Sequence, residues 1–109
     1  MTATYGEQEI ERDVQAKGLN APRVTPEHID SKIMREAFHH FPGTTMTVCC
    51  LTLANGYTVV GQSAAASPEN FDEEIGRKVA RADARDKIWQ LEGYLLRDQL
   101  ARREEGPAL

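Results

Sequence analysis

The sequence predicts an α+β fold, in which a β-hairpin packs against a capped helix and a long C-terminal helix, with a short helix near the N-terminus. Three observations support this prediction. Thr25-Pro26 is typical of a helix start, Asn55-Gly56 is typical of a hairpin turn, and apolar side chains recur at helical spacing after Ser67-Pro68. Because a two-stranded sheet is only marginally stable alone, we expect the helices to cover it.

The length of the chain sets the number of domains. With 109 residues it fits a single α+β domain over 1–109. We expect a short N-terminal helix at 7–18 and flexible ends at 1–6 and 104–109.

The first main helix is predicted from its capping residues. Thr25 can cap the first turn, Pro26 suits the first helical position, and Glu27 favours the positive end of the helix dipole. Apolar residues then recur every three or four positions, as they would along one stripe of a helix. They are Ile29, Ile33, Met34, Ala37, Phe38 and Phe41. Pro42-Gly43 is expected to end this helix.

The Asn55-Gly56 pair predicts the register of the hairpin, because a two-residue type I′ loop matches the twist of the strands. One face would pair Leu53 with Thr58, Leu51 with Val60 and Cys49 with Gln62. The other face would pair Ala54 with Tyr57, Thr52 with Val59, Cys50 with Gly61 and Val48 with Ser63. Apolar side chains occur on both faces, so we expect neither face to be freely solvated.

The long C-terminal helix is predicted to begin between Ser67 and Asp72. Phe71 can anchor the helix start, while Asn70 or Asp72 can bond the free N–H groups of the first turn. The helix carries an apolar stripe of Ile75, Val79, Ile88, Leu91 and Leu95. It also carries a row of small residues, which lets a strand or a symmetry-related helix approach closely. These are Gly76, Ala80 and Ala84.

The distal half of this helix is the predicted interface. Unbroken to Arg103, the helix would be on the order of 45–50 Å long, which exceeds what a globule of this size covers. We therefore expect a homo-oligomer that associates through this half or through the sheet edge, unless the helix breaks at Gly93. The candidate interface residues are Trp89, Tyr94, Leu95 and Leu96.

Composition and charge exclude several classes of protein. The formal net charge is −4, so binding to nucleic acid through net charge is not expected. No apolar run approaches the ~20 residues of a membrane span, and the first residues lack the features of a signal peptide. Cys49 and Cys50 are adjacent, and neighbours on a strand face opposite ways, so we expect no disulfide between them and a reducing cytoplasmic location.

The strongest candidate for ligand contacts is a basic ridge on the long helix, formed by Arg77, Arg81 and Arg85. Guanidinium groups bind phosphates and acidic protein surfaces, and Tyr57 or Trp89 would offer a stacking surface beside them. The alternative is a solvated face, on which each cation has an acid one turn away. Those pairs would be Glu73 with Arg77, Glu74 with Lys78 and Asp83 with Lys87.

The sequence contains no recognisable catalytic motif, so we expect a protein that is not an enzyme and uses no metal or cofactor. Glu36, His39 and His40 would lie on consecutive turns of the first main helix. Metal sites usually need three or four ligands, and no further ligand is tied to this group, so ordinary polar residues near a helix end are favoured. Neither Cys49 nor Cys50 has an evident base beside it.

Six runs of the sequence together resemble a family of small proteins of tailed bacteriophages and prophages. They are Lys17–Leu19, Ala21–Pro26, Val48–Gly56, Gly61–Ser63, Asn70–Lys78 and Lys87–Leu96. The resemblance covers nearly the whole chain and implies expression in the cytoplasm of an infected bacterial host. It supplies no catalytic residues, because the family has no assigned enzymatic activity.

These observations favour a non-enzymatic phage accessory protein that binds and blocks or sequesters a host component. The component would be a host protein, met by the long helix, or a small phosphorylated or nucleotide signal, held between subunits by the basic ridge. The alternative is a structural or assembly protein of the virion. An enzyme that uses Glu36, His39 and His40 ranks third.

Overall fold

The structure is a computed structural model, and it describes residues 6–104. The predicted α+β class is confirmed, and the predicted flexible ends lie almost entirely outside these residues. The elements in chain order are α1 (Glu7–Ala16), α2 (Pro26–Lys32), β1 (Ile33–His40), β2 (Met46–Leu53), β3 (Thr58–Ala64), a 3₁₀ turn (Pro68–Asn70) and α3 (Glu73–Glu104). The strands form one antiparallel sheet in the order β1-β2-β3.

The first main helix begins as predicted but is much shorter than predicted. The side chain of Thr25 accepts a hydrogen bond from the His28 N–H group at 3.1 Å, and Pro26 follows it in the first turn. The helix ends at Lys32, and the residues predicted to continue it form β1, which pairs along the whole of β2. The extended form is favoured because it gives the central strand a hydrogen-bonded neighbour on each side. This stabilisation comes from tertiary contacts, so the periodicity of the local sequence does not indicate it.

Pro42-Gly43 is the turn of a second hairpin rather than the end of a helix. The Thr44 N–H group donates to the Phe41 carbonyl at 3.1 Å, and Gly43 has φ 78°. Proline followed by a residue with positive φ is the pattern of a type II turn. This turn sends the chain back antiparallel from β1 into β2.

The register of the β2–β3 hairpin is one residue away from the predicted register. Leu51 faces Val59 and Cys49 faces Gly61. The Gly56 N–H group donates to the Leu53 carbonyl, Leu53 pairs with Tyr57, and only Gly56 of the loop has positive φ. The loop is therefore a three-residue type I turn with a glycine bulge. An Asn-Gly pair is compatible with this loop as well as with the type I′ loop that was predicted.

The row of small residues on α3 lies against the sheet, so the close neighbour is a strand. Gly61 of β3 sits where α3 crosses, and its missing side chain leaves room for the backbone of Ala80 and Ala84. At Gly76 the nearest strand atom to an added Cβ would be the Thr47 hydroxyl, at 3.0 Å. The core that forms at this crossing consists of Ile29, Cys49, Leu51, Leu53, Val59, Ala80, Ala84 and Ile88.

Helix α3 is anchored at its start and is continuous to Glu104. The Asp72 side chain accepts a hydrogen bond from the Ile75 N–H group at 2.9 Å, which confirms one of the two predicted caps. Phe71 stacks on the His40 ring with centroids 4.7 Å apart, so it also anchors the helix start. The helix does not break at Gly93, and its 32 residues span about 48 Å.

The two cysteines face opposite sides of the sheet, as predicted, and both are free thiols. Cys49 is fully buried under α3, and Cys50 is half-buried on the other face. Burial raises the pKa of the Cys49 thiol to about 11, with a smaller contribution from the Glu36 carboxylate. At neutral pH this thiol is therefore both shielded and protonated.

We expect N-ethylmaleimide to modify one thiol of the native protein, that of Cys50. The Cys50→Ser variant should lose this labelling, while Cys49→Ala should keep it, because the thiolate is the nucleophile and Cys49 cannot present one to solvent. Mass spectrometry of the labelled protein, with a urea-unfolded sample as the two-label control, measures this directly. Equal labelling rates for the two thiols in the native state would contradict the placement of Cys49 under α3.

Candidate functional site

The three arginines of the basic ridge each have an acidic partner within the chain. Arg77 donates to Glu73, one turn earlier on α3, at 2.6 Å. Arg81 reaches across to β1 and donates to Glu36 at 2.7 Å. The predicted pair of Lys78 with Glu74 is also present, at 3.4 Å, and these three cations all remain partly or largely exposed.

Arg85 differs from the other two because it is nearly buried, with 8% of its surface exposed. Its Nε and Nη2 atoms donate to the Glu7 carboxylate at 3.0 and 3.1 Å, and Nη1 donates to Asp30 at 2.6 Å. Nη2 also donates to the Pro26 carbonyl at 3.3 Å. Burial disfavours the guanidinium, but the hydrogen bonds to Glu7 and Asp30 outweigh it and raise the pKa of Arg85. Arg85 thus ties α1 and α2 to α3.

The two predicted stacking residues lie in different places. Trp89 is half-buried against the core, and its indole N–H group donates to Glu7 at 3.0 Å, so it adjoins Arg85. Tyr57 directly precedes β3, at the edge of the sheet opposite β1, and is 58% exposed. Tyr57 is therefore separated from the basic ridge, whose tertiary partners come from α1, α2 and β1.

Asp83 and Lys87 were predicted to pair with each other, but both bond to the outer edge of β3. The Asp83 carboxylate accepts from the Gln62 N–H group at 2.9 Å, and the Lys87 ammonium donates to the Val60 carbonyl. These are groups that an edge strand presents to a neighbouring strand. Their occupation by side chains of α3 protects this edge from pairing with another chain.

A groove with exposed apolar walls runs between β3 and α3, and we call it the β3–α3 groove. Its volume is about 440 Å³. Tyr57 and the buried Val59 line the β3 side, and Leu91 and Tyr94 line the α3 side. Tyr57, Leu91 and Tyr94 are each more than 40% exposed, and Tyr94 is 75% exposed. Large apolar side chains that cluster at the surface mark interaction sites more often than isolated ones do.

A second cavity lies under the N-terminal helix, and we call it the α1 pocket. Its volume is about 410 Å³, and Ile10, Val14, Val24 and Trp89 provide its apolar walls. The charged and polar residues that line it are Glu7, Glu11, Arg23, Asp86 and Gln90.

Two ion pairs hold α1 over this pocket. The Glu7 carboxylate, in the first turn of α1, accepts hydrogen bonds from Arg85 and Trp89. One turn later, Glu11 receives two hydrogen bonds from Arg23, at 2.6 and 2.7 Å. The hydrogen bonds from Arg23, with that from Gln15, lower the pKa of Glu11 to about 2.

The four candidate interface residues do not share one face of α3. Trp89 faces α1, Tyr94 lines the β3–α3 groove, and Leu95 and Leu96 line a third cavity beside α2. Within this set, Tyr94 and Leu95 are the exposed members. Association through α3 stays a prediction, and the surface available for it is centred on these two residues.

Glu36, His39 and His40 do not assemble as a site, because they lie on a strand rather than on helical turns. Glu36 is paired with Arg81, and His40 bonds the Thr44 carbonyl at 2.6 Å. His39, whose neighbours in the strand point to the other face, packs edge-on against Phe41. Among residues 6–104, no group of three or more His, Cys, Asp or Glu side chains could hold a metal ion.

Sequence reasoning missed the part played by Glu7, which is 78 positions from Arg85 and has no local signal. It also missed that Val59, and not Val60, faces α3, because the predicted register placed Val60 on the same face of the sheet as Leu51 and Cys49. The sequence did indicate two residues of the groove, since Tyr57 after the hairpin turn and Tyr94 on the distal part of the long helix were both candidate contact residues. Their proximity depends on the angle at which α3 crosses the sheet.

The fold and these surfaces define a small α+β protein with a long helix across one face of a three-stranded sheet and apolar grooves on either side of that helix. None of the helices between residues 6 and 104 has the length and apolar character needed to cross a membrane. The chain belongs to the phage protein family described as Phage protein (N4 Gp49/phage Sf6 gene 66), whose pattern it matches over residues 24–100. No curated protein and no solved structure gave a significant match to the chain.

Proposed function

We propose that this phage protein is a non-enzymatic accessory protein that acts in the cytoplasm of the infected bacterium by binding and blocking a host protein. The observation that supports this proposal is the β3–α3 groove. Tyr57 and Tyr94 flank it, and tyrosine is enriched among the residues that dominate binding energy at protein interfaces. The groove also has an apolar floor in Val59 and Leu91, against which a partner side chain can pack.

The basic ridge gives weaker support for a small phosphorylated or nucleotide signal as the target. A phosphate would have to compete with the carboxylates of Glu73, Glu36, Glu7 and Asp30 for the three guanidinium groups. Tyr57, moreover, is separated from the ridge. A host protein is therefore the favoured target, and a role in the virion is the competing outcome of the experiment below.

The test uses a photo-crosslinking residue, p-benzoylphenylalanine, placed at Tyr94 during infection. We expect it to form a crosslink to a host polypeptide, which mass spectrometry identifies. The same residue placed at Glu69, exposed on the 3₁₀ turn, is the matched control and should not form this crosslink. With the purified partner, Tyr94→Ser should weaken binding at least about tenfold, as expected for an aromatic anchor, whereas Glu69→Ser should leave affinity within about twofold.

Three results would contradict the proposal. One is a crosslink at Tyr94 only to virion polypeptides in purified particles, which would favour an assembly role. Another is a crosslink only to a second copy of this chain. The third is a partner whose affinity is the same for Tyr94→Ser and for the unmodified protein.

A further inference from the structure

We propose that the face of the sheet turned away from α3 binds the same face of a second copy of this chain. The three helices all lie on the opposite side: α3 covers Cys49, Ile29 of α2 belongs to the same core, and α1 bonds to α3 through Glu7. Between residues 6 and 104, no helix covers the remaining face, which we call the open sheet face. The β3–α3 groove lies on the helix side, so this inference does not depend on the proposed function.

The open sheet face is apolar along its centre. When one face of an antiparallel sheet is solvated, the residues on that face are usually polar. Here Cys50 occupies the middle, flanked by Ala37 of β1 and Val60 of β3, and Val60 is 43% exposed. Met46 and Val48 extend the apolar stripe along β2. Apolar residues on both faces predict that neither face is freely solvated, and a second copy supplies the cover that this face lacks.

The charge of the open sheet face fits a second copy of an acidic chain. The sequence has 17 Asp and Glu residues against 13 Lys and Arg, yet no carboxylate lies among the residues of the three strands that point away from α3. Their only permanent charge is Arg35, which lies near one end of β1 and pairs with Thr52. Two acidic molecules repel each other least where they meet through a surface without carboxylates, and the centres of protein interfaces are depleted in charged residues. The polar residues around the apolar stripe are His39, Thr52, Thr58 and Gln62.

The size of the open sheet face predicts a weak dimer. Strands of eight residues span about 26 Å, and three paired strands are about 14 Å wide. The flat footprint is therefore roughly 360 Å², and even with the relief of the side chains it falls below the ~800 Å² that each partner gives to a standard interface. Such small interfaces are typical of transient complexes, so we expect a Kd on the order of 10 μM. The two sheets would pack about 10 Å apart, with the helices on the outside.

Sedimentation equilibrium of the purified protein tests the association. The average mass should rise from the 12.2 kDa of one chain towards twice this value as the concentration passes the Kd. Val60→Glu places a carboxylate on the open sheet face and should raise the Kd at least about tenfold, because that charge would lose its water in the dimer. The control is Ile75→Glu, which adds the same charge at an exposed position on α3 and should leave the Kd within about twofold.

Crosslinking locates the interface in a way that does not depend on how Val60→Glu folds. If the two faces meet at their centres, the two Cys50 residues lie opposite each other with their backbones about 10 Å apart. This separation is too long for a disulfide but suits a short bis-maleimide, which should join two chains through Cys50. The control is the double variant Cys50→Ser, Ile75→Cys, whose thiol lies away from the open sheet face and should give no crosslinked dimer.

The single labelling of Cys50 by N-ethylmaleimide, predicted above, then proceeds through the dissociated monomer. Its rate should therefore fall when the protein concentration is raised well above the Kd. The inference is overturned if the protein stays a monomer at all concentrations, or if the labelling rate does not depend on concentration. It is equally overturned if an assembly persists in Val60→Glu with unchanged affinity and gives no crosslink between two Cys50 thiols, because that assembly would use another surface.

Discussion

Gly61→Ala should destabilise the protein by about 3 kcal/mol or more. A methyl group at this position would overlap the Ala80 carbonyl oxygen and the Ala84 amide nitrogen. Both are backbone atoms, so no side-chain rotation can relieve the overlap, and α3 would have to move away from the sheet. Overpacking of a close-packed core typically costs about 1–3 kcal/mol, and rigid backbone neighbours place this site at or above the upper end.

The matched control for this prediction is Gly93→Ala on the exposed distal part of α3. Nothing lies within 4 Å of a Cβ atom added there. Alanine is favoured over glycine inside a helix, so this variant should gain about 0.5–1 kcal/mol. Urea unfolding followed by circular dichroism measures both variants. A loss of less than about 1 kcal/mol for Gly61→Ala would contradict the close crossing of α3 and β3.

Arg85→Met should lower the free energy of unfolding by about 3 kcal/mol and release α1 from α3. The guanidinium is the common partner of Glu7 and Asp30, and its removal leaves the Glu7 carboxylate, with 15% of its side chain exposed, without its main counter-charge. Removing one partner of a buried ion pair typically costs about 3–5 kcal/mol. The lower end applies here because Asp30 is largely solvated and Trp89 still bonds Glu7.

Arg77→Met is the control, since it breaks an exposed pair between neighbouring turns and should cost no more than about 1 kcal/mol. Adding Glu7→Gln to Arg85→Met should restore part of the loss, because a neutral amide is less costly to bury than an unpaired carboxylate. Trp89 fluorescence reports the release of α1, because its indole group contacts Glu7. Equal losses for Arg77→Met and Arg85→Met, or no rescue by Glu7→Gln, would argue against the buried network.

Among the binding surfaces, the sequence indicated individual residues better than their grouping. The arginines of the basic ridge were recognised from their four-residue spacing, and the predicted pairs of Arg77 with Glu73 and of Lys78 with Glu74 are present. The pairing of Arg85 with Glu7 was not predictable, because helical spacing reports only neighbours on the same helix. The two grooves likewise depend on side chains from elements that are distant in the chain.

What the sequence by itself determined was local. Thr25-Pro26 and Asp72 place the helix starts, and the row of Gly76, Ala80 and Ala84 marks the face of α3 that a strand approaches. These features depend on capping, steric size and helical spacing, which act within a few residues.

Only the tertiary structure decided the state of residues 33–40 and the register of the β2–β3 hairpin. Apolar residues from Ile33 to Phe38 suit one stripe of a helix, yet they form a strand because β2 offers hydrogen bonds along its whole length. Asn55-Gly56 is compatible with two loop types, and the shorter one would place Gln62 opposite Cys49. The observed loop instead places Gly61 under α3, where only glycine fits. Both outcomes depend on long-range packing, because its free energy exceeds the small local preferences that periodicity and turn residues indicate.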